Sequence, residues 1–261
     1  MQLTKHHGLG NDFLIVLDSD GTAPVDAAVA RHLCDRRRGV GADGLVLARP
    51  GGEGATARMT LWNADGSLAE LSGNGLRCLG QALIRAGWVD GEQLVVVTDA
   101  GPRRLAVIER GTGPTDLLSV ELGRARSFEL PSTLDGVELP GAGHGVDVGN
   151  PHVVLVVDEV DRHDPTEIGP AVEAHFAAGV NVHLVEVADR SHVTMRIWER
   201  GAGSTEACGS GATAAASALH GADLVDDLVE VAMPGGTATV RVGDPLVLTG
   251  PATFVATIEV T

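Results

Sequence analysis

The sequence predicts a mixed α/β protein that is built from two related halves. A stretch that begins at Trp62 recurs at Trp198, 136 positions later. In each copy the tryptophan is followed ten residues later by a small side chain with a hydroxyl or a thiol, Ser72 or Cys208, and then by Gly-x-Gly. Short apolar runs typical of strands alternate with helical patterns around both copies. An internal duplication is therefore the first prediction.

Composition and length exclude several classes of protein. A chain of 261 residues is long enough for two domains of about 130 residues each. The net charge of −16 argues against binding to nucleic acid, which favours basic surfaces. No apolar run approaches the roughly 20 residues that cross a bilayer, and the N-terminus lacks the layout of a secretory signal, so we expect no membrane association. Three cysteines, an odd number, indicate reduced thiols and a cytoplasmic location.

The first half is predicted to contain two helices. Apolar spacing indicates one helix over residues 24–38 and another over 73–87, which starts directly after Ser72. Strands are predicted over residues 2–6, 13–17, 45–48, 59–62, 94–98 and 104–108. The sequence Gly-Thr-Gly-Pro at 111–114 interrupts the pattern after the last of these strands. We therefore place a domain boundary after residue 113.

The second half repeats this order of elements. Asn150 precedes an apolar strand at 153–157 as Asn11 precedes the strand at 13–17, and the two asparagines are 139 positions apart. Helices are predicted around 170–178 and over 209–220, the latter directly after Cys208. Further strands are predicted over residues 182–187, 193–198, 229–233, 237–242 and 254–260. Two landmarks that recur at nearly the same offset support the duplication.

The two repeated helix starts predict an anion site. A helix that begins after Ser72 or Cys208 presents unsatisfied N–H groups and a positive dipole end, and the glycines allow a ligand to approach closely. Two such ends, contributed by related halves, would suit a carboxylate or a phosphate. No phosphate-binding loop or basic cluster adjoins them, so a small carboxylate is favoured. The histidines show no spacing typical of metal ligands, and no metal site is predicted.

Ser72 and Cys208 indicate chemistry on two faces of one molecule. Cys208 at a helix start is expected to have a lowered pKa, which would make it a nucleophile or a proton acceptor. Related halves would put the two side chains on opposite sides of a ligand, as inversion at a carbon without a cofactor requires. Other interpretations remain open: Ser72 as a simple N-cap, His152 as a loop residue rather than a partner of the thiol, and Glu199 as a solvated carboxylate.

Several motifs together closely resemble diaminopimelate epimerase over nearly the whole chain. They lie at residues 7–13, 39–44, 63–67, 72–78, 149–152 and 199–211. The resemblance implies two pseudo-symmetric domains, each a strand barrel around a central helix. The first would comprise residues 1–113 with a final strand at about 250–261, and the second residues 114–249. It also implies a homodimer that converts LL-diaminopimelate to the meso form used for lysine and peptidoglycan, with no cofactor.

The resemblance assigns roles to individual residues. The distal amino-carboxylate end of the substrate would be bound by Asn11, Asn63, Asn150, Asn181 and the pair Glu199 and Arg200. The reacting carboxylate would be held by backbone N–H groups of Gly73, Asn74, Gly209 and Ser210. Proton movement at the thiols would be assisted by His152 and Glu199.

Ser72 departs from the family pattern, which has a cysteine at this position. A serine hydroxyl does not rest ionised near neutral pH, so as a base it would need help from another group. Three hypotheses follow. The first is an epimerase with Cys208 on one face and Ser72, natural or engineered, on the other. The second is a racemase, epimerase or dehydratase acting on another amino acid, such as a proline derivative. The third is an amino-acid binder that has lost its chemistry.

Overall fold

The computed structural model describes residues 1–130 and 139–260. They form two compact units, one from residues 1–121 and 249 onward and the other from residues 122–248. The boundary predicted after residue 113 falls eight residues earlier than the change of unit, because the strand that follows it pairs with its predecessor in the first unit. Thr261, the end of the expected final strand, lies outside the described residues. Among the described residues, no helix is long and apolar enough to cross a membrane.

The described residues contain sixteen strands and four α-helices. The strands are β1 (Gln2–Gly8), β2 (Asn11–Leu17), β3 (Gly44–Pro50), β4 (Ala57–Asn63), β5 (Leu68–Ala69), β6 (Gln93–Thr98), β7 (Gly101–Glu109), β8 (Thr115–Gly123), β9 (Arg126–Phe128), β10 (Ala142–Asp147), β11 (Pro151–Val156), β12 (Asn181–Val187), β13 (His192–Trp198), β14 (Leu228–Met233), β15 (Gly236–Arg241) and β16 (Leu246–Glu259). The helices are α1 (Ala27–Cys34), α2 (Gly73–Arg85), α3 (Pro165–Glu173) and α4 (Gly209–Gly221). A short 3₁₀ turn occupies Val160–Arg162.

The first unit is a closed barrel of eight strands. Their order is β1-β2-β3-β4-β6-β7-β8-β16, and pairing of β1 with β16 closes the ring. Two neighbouring pairs, β2 with β3 and β4 with β6, are parallel, and the connections between them contain α1 and α2. Eleven of the thirteen residues of α2 are buried, as expected for a helix enclosed by strands. The predicted fold class is confirmed by this architecture.

The second unit repeats the connectivity of the first. Its strands follow the order β15-β14-β13-β12-β11-β10-β9. The pairs β11 with β12 and β13 with β14 are parallel, with α3 and α4 in the connections. Ten of the thirteen residues of α4 are buried, and five of those ten are alanines, whose small side chains let strands pack closely around the helix. The two central helices therefore occupy equivalent positions: α2 lies in the connection from β4 to β6, and α4 lies in the connection from β13 to β14.

Helices α1 and α3 begin and end at residues other than those that their apolar spacing predicted. The helix predicted over 24–38 is only α1, because Asp26 accepts hydrogen bonds from Ala28 N–H and Val29 N–H and so starts the helix, which ends before Asp35. The helix predicted around 170–178 is α3, five residues earlier. Its N-cap is Asp164, whose side chain accepts from Thr166 N–H, with Pro165 in the first turn.

Candidate active site

The side chains of Ser72 and Cys208 cap the central helices of the two units in the same way. Ser72 Oγ accepts a hydrogen bond from Gly75 N–H at 3.0 Å, and Cys208 Sγ accepts one from Gly211 N–H at 3.3 Å. Both capping residues have extended backbone angles. Each helix therefore begins directly after its capping residue, with the positive end of its dipole at this first turn. The sequence repeat is thus a repeat of local structure.

Gly211 is required because the first turn of α4 lies against a buried histidine. A Cβ atom at this position would lie 2.4 Å from Cε1 and 2.5 Å from Nε2 of His183. The equivalent Gly75 is less confined, since its nearest contacts would be Cβ and Oγ of Ser72 at 3.2 Å. The glycine of the second motif therefore makes room for the imidazole ring of His183.

The Cys208 thiol is buried, with only 3% of the residue exposed. Burial raises the pKa of the thiol well above its ordinary value, and the Glu199 carboxylate raises it further by its charge and by a hydrogen bond. Hydrogen bonds from Ser210, whose Oγ lies 3.6 Å from Sγ, and from Gly211 N–H act in the opposite direction. The expected lowering of this pKa is therefore wrong: Cys208 rests as a thiol because burial outweighs the helix terminus.

Glu199 is held beside the thiol by a tight hairpin. Its N–H and carbonyl groups bond to Gly203, so the chain reverses over four residues after β13. Thr205 Oγ1 donates to Glu199 Oε1 at 2.6 Å and orients the carboxylate. Glu199 is half-buried, so the interpretation as a fully solvated carboxylate does not hold. The turn after β13 therefore positions the carboxylate that lies beside Cys208.

His152 lies inside strand β11 and is completely buried. Its Nε2 lies 2.9 Å from Asn150 Oδ1, and its Nδ1 lies 2.8 Å from His183 Nε2. Burial, followed by the charges of His183 and Arg200, lowers the pKa of His152 well below its ordinary value. The ring is therefore neutral near pH 7, and both of its nitrogens are engaged. The reading of His152 as a residue of a loop is wrong, because the residue pairs with Asn181 on β12.

The side chain of Asn181 bonds to the backbone of Arg200 and not to its guanidinium group. The Arg200 N–H group donates to Asn181 Oδ1 at 3.1 Å, and Asn181 Nδ2 donates to the carbonyl of Pro151 at 3.0 Å. The Arg200 guanidinium bonds to the carbonyl of Ala178, and the residue is exposed. Asn181 thus ties the starts of β11 and β12 to the hairpin that carries Glu199.

The first unit contains a different polar chain around Asn11 and Asn74. Arg77 donates to Asn74 Oδ1 at 2.8 Å, and Asn74 Nδ2 donates to Asn11 Oδ1 at 3.1 Å. Asn11 Nδ2 then donates to Asp43 Oδ2 at 2.8 Å. Arg77 can only donate and an ionised Asp43 can only accept, so the chain runs from the helix towards Asp43. Arg77 is fully buried, and burial lowers the pKa of its guanidinium to about 10.

Asn63 is set apart from these groups in the first unit. Its side chain is exposed and donates to Ser67 Oγ at 3.0 Å within the turn that follows β4.

Among the groups not singled out from the sequence, His183, Asp43, Arg77 and Thr205 all contact candidate site residues. A histidine between valine and leucine in a predicted strand, and an arginine within a helix of apolar spacing, were signals for two of them. Asp43 and Thr205 were detectable only from contacts between distant turns.

Solved structures have the same fold at low sequence identity. A hydroxyproline epimerase from Agrobacterium vitis, with bound trans-4-hydroxy-L-proline, matches with a TM-score of 0.80 and 16% identity, over 99% of this chain and 91% of that one. A phenazine biosynthesis protein of the PhzF family from Bacillus anthracis matches with a TM-score of 0.74 and 17% identity, over 100% and 99% of the two chains.

The curated relatives and the matching family model define an isomerase of the epimerase class. The diaminopimelate epimerase of Rhizorhabdus wittichii is 42% identical over 271 aligned positions, covering 98% of this chain and 93% of that protein. The enzyme of the same name from Xanthomonas euvesicatoria is 39% identical, covering 98% and 94%. The family model for diaminopimelate epimerase matches residues 3–127 and 145–255. The chain therefore belongs to the diaminopimelate epimerase family, and the resemblance inferred from its motifs is confirmed.

Proposed function

We propose that this protein is a cofactor-independent epimerase that converts LL-diaminopimelate to the meso form, a step of lysine biosynthesis. The observation that carries the proposal is the buried Cys208 thiol beside Glu199 at the start of α4, together with Ser72 as the equivalent cap of α2. A thiol that rests protonated in a buried site is suited to give a proton to a carbanion. The proposal assigns Cys208 to one face of the α-carbon and Ser72 to the other.

The reacting carboxylate would be bound at the helix starts. Backbone N–H groups of Gly73, Asn74, Gly209 and Ser210 are proposed as its donors. These residues are the first two of α2 and of α4, where the helix dipole favours an anion. When the α-proton leaves, the electron pair of the C–H bond moves into this carboxylate. Fixed donors at its oxygens would stabilise the charge that develops there.

The distal amino-carboxylate end would be recognised by side chains from both units. Asn11, Asn63, Asn150, Asn181 and Arg200 are proposed for this role. Support comes from the exposed Arg200 guanidinium, which suits a carboxylate, and from Asn11 and Asn150, whose amides are held by named partners. A substrate with a second charged end would use these groups, whereas a substrate with a single charged end would leave them unpaired.

The proton steps differ on the two faces. On the Cys208 face the S–H bond breaks, the proton adds to the α-carbon, and a thiolate remains that can be reprotonated by way of Glu199. In the reverse direction Glu199 accepts the thiol proton before the thiolate removes the α-proton. His152, expected as a direct partner of a thiol, is given an indirect role here through Asn150. Ser72 can donate its hydroxyl proton but needs a further group to act as a base.

Deuterium exchange tests the proposed activity directly. The protein is incubated with LL-diaminopimelate in heavy water, and deuterium at the α-carbon and the amount of meso product are followed by NMR and chiral chromatography. We expect deuterium to be incorporated and meso product to form, while the Cys208→Ala variant does neither. Absence of both exchange and product in the unmodified protein would refute the epimerase proposal. A parallel panel of proline derivatives that gave turnover when diaminopimelate did not would assign the substrate to that class instead.

The proposed enzyme acts in the cytoplasm as a homodimer. Three buried free cysteines, Cys34, Cys78 and Cys208, support a reducing compartment. Sedimentation at micromolar concentration is expected to give twice the mass of the chain, and a monomer would contradict this. Activity that survives extensive desalting and a chelator would support the absence of a cofactor, and activity that needs an added metal or organic group would contradict it.

A further inference from the structure

A chain of hydrogen-bonded groups leads from His183 to the sulfur of Cys208 within the second unit. His183 Nε2 lies 2.8 Å from His152 Nδ1, and His152 Nε2 lies 2.9 Å from Asn150 Oδ1. Asn150 Nδ2 lies 3.5 Å from Ser210 Oγ, and Ser210 Oγ lies 3.6 Å from Cys208 Sγ. Strands β11 and β12 carry the histidines, and the helix start carries Ser210 and the thiol. The chain therefore couples the strands to the group proposed to transfer the proton.

The residues that form this series of hydrogen bonds are buried, so their polar groups have few alternative partners. His152 and His183 have no exposed surface, and Ser210 and Cys208 expose 6% and 3%. The two imidazole rings stack with centroids 5.1 Å apart. His183 Nδ1 is buried and has no hydrogen-bond partner among the described residues. This unpartnered nitrogen distinguishes between the two possible directions of donation along these hydrogen bonds.

Each neutral imidazole ring carries one N–H group, so the hydrogen bonds between His183, His152 and Asn150 can be donated in either of two directions. In the first, His183 Nε2–H donates to His152, His152 Nε2–H donates to Asn150, and His183 Nδ1 is left as a bare lone pair. In the second, every bond is reversed and His183 Nδ1 carries a buried N–H group without an acceptor. Burial lowers the pKa of His183 to about 3, so a doubly protonated ring is excluded near neutral pH. Buried N–H groups without partners are the rarer case, so the first direction is favoured.

The first direction determines where the Ser210 hydroxyl points. Asn150 Oδ1 accepts from His152, so its amide N–H group donates to Ser210 Oγ. Ser210 is then an acceptor from Asn150, and its own O–H group is left to donate to Cys208 Sγ. The thiol proton is directed to the Glu199 carboxylate, and the sulfur also accepts from Gly211 N–H. In this arrangement each of these donors has an acceptor.

We propose that Ser210 is a further catalytic residue, whose hydroxyl stabilises the Cys208 thiolate, and that the buried pair of His152 and His183 positions this hydroxyl. The proposal rests on the assignment of Cys208 as a proton-transfer group. When the thiol has given up its proton, two donors, Ser210 O–H and Gly211 N–H, converge on the sulfur. Hydrogen bonds to a charged atom are stronger than those to a neutral one, so the hydroxyl favours the thiolate over the thiol.

The tautomers of the two histidines provide the first test. Long-range proton–nitrogen NMR of the intact protein, labelled with ¹⁵N-histidine and free of substrate, distinguishes protonation at Nδ1 from protonation at Nε2. We expect both His152 and His183 to be neutral with the proton on Nε2, with assignments taken from the His183→Gln variant. Protonation of His152 at Nδ1, or a charged ring at pH 7, would overturn the proposed direction. This result is independent of whether the protein turns over any amino acid.

The pKa of the Cys208 thiol provides the second test. It is measured from the pH dependence of alkylation by iodoacetamide, read at the Cys208 peptide by mass spectrometry. We expect Ser210→Ala to raise this pKa by about one pH unit, because a hydrogen bond to the thiolate is lost. Ser210→Thr, which keeps a hydroxyl, should restore most of the difference. An unchanged pKa in Ser210→Ala would overturn the assignment of the hydroxyl.

A double-mutant cycle then tests whether His183 acts through Ser210. His183→Phe keeps an aromatic ring against Gly211 but has no N–H group for His152, so the Nδ1–H tautomer of His152 gains population and part of the hydroxyl's donation is lost. We expect His183→Phe to raise the thiol pKa by less than Ser210→Ala does, and the double variant to have the same thiol pKa as Ser210→Ala alone. If His183→Phe raised the thiol pKa equally in the unmodified protein and in Ser210→Ala, the positioning role would be contradicted. If His183→Phe does not fold, the tautomer measurement still decides the proposal.

Discussion

The two units share a helix cap but differ in the groups that surround it. Strands β2 and β3 pair Phe13 with Gly44, as β11 and β12 pair His152 with Asn181. By this register, Phe13 takes the place of His152 in the first unit. Two residues further along the strands, Val46 takes the place of His183. Neither Phe13 nor Val46 titrates, so these two positions of the first unit supply no acid or base group.

The same contrast holds after the paired tryptophans. Asn63 follows Trp62 where Glu199 follows Trp198, so an amide stands in place of the carboxylate that, after burial, raises the pKa of the Cys208 thiol. The amide chains also run in opposite senses. Asn11 directs its N–H group away from the helix to Asp43, whereas Asn150 directs it to Ser210 at the helix start. The duplication has thus preserved a capped helix start in both units, whereas the cap of the second unit has a carboxylate held beside its side chain.

The largest effect is expected when the second unit is made to resemble the first. Cys208→Ser replaces the thiol by a hydroxyl of much higher pKa, and we expect the turnover number to fall by about a thousandfold, within the range of general acid–base contributions. The coupled assay for meso-diaminopimelate measures it. Cys34→Ala is the matched control, because Cys34 is buried in the apolar core of the first unit and should leave turnover unchanged. Turnover retained in Cys208→Ser would remove the distinction between the units.

The converse change makes the first unit resemble the second. In Ser72→Cys a thiol caps α2, and we expect the turnover number to rise by about a hundredfold, because a thiol can exchange its proton with far less help than a hydroxyl. Steady-state kinetics with LL-diaminopimelate measure the change. Ser19→Cys, at an exposed position of the first unit, controls for an added thiol. If Ser72→Cys has the turnover of the unmodified protein, the serine does not limit the reaction.

Glu199→Gln tests the electrostatic difference between the units. The carboxylate raises the pKa of the Cys208 thiol, so its neutral replacement should lower that pKa and make the thiol alkylate at lower pH. Turnover should fall by about tenfold or more, since the group that accepts the thiol proton is gone. Glu206→Gln, an exposed carboxylate two residues before Cys208, should change neither quantity. Slower alkylation in Glu199→Gln at a given pH would reverse the sign assigned to the carboxylate.

The smallest expected effect is on stability at mildly acid pH. Burial lowers the pKa of His183 to about 3 and that of His152 well below its ordinary value in the second unit, and lowers that of His6 to about 4 in the first. Protons therefore bind the unfolded chain preferentially as the pH falls below about 6.5, the ordinary histidine value, and the free energy of unfolding decreases. Calorimetry from pH 7.5 to 5 should give a falling melting temperature, with a shallower fall in His183→Gln. A constant melting temperature would contradict neutral burial of these rings.

The sequence predicted the features that depend on local patterns. The repeated tryptophan and Gly-x-Gly indicated two capped helices, and α2 and α4 begin at the predicted residues. The fold class and the family followed from motifs that are contiguous in the chain. The pKa of Cys208 was mispredicted, because the favourable helix terminus is visible in sequence whereas burial and the approach of Glu199 depend on the folded hairpin. His183 escaped notice because its contact with His152 arises only from parallel pairing of β11 with β12.

The difference between the two units is tested most directly by comparing hydrogen exchange from the two epimers. LL- and meso-diaminopimelate are incubated separately with the protein in heavy water, and initial rates of deuterium incorporation and of inversion are measured. We expect one epimer, whose α-proton faces Cys208, to exchange at least about tenfold faster than it inverts, and the other to exchange slowly. Ser72→Cys should bring the two rates together. Equal exchange from both epimers in the unmodified protein would contradict the proposed difference between the Cys208 face and the Ser72 face.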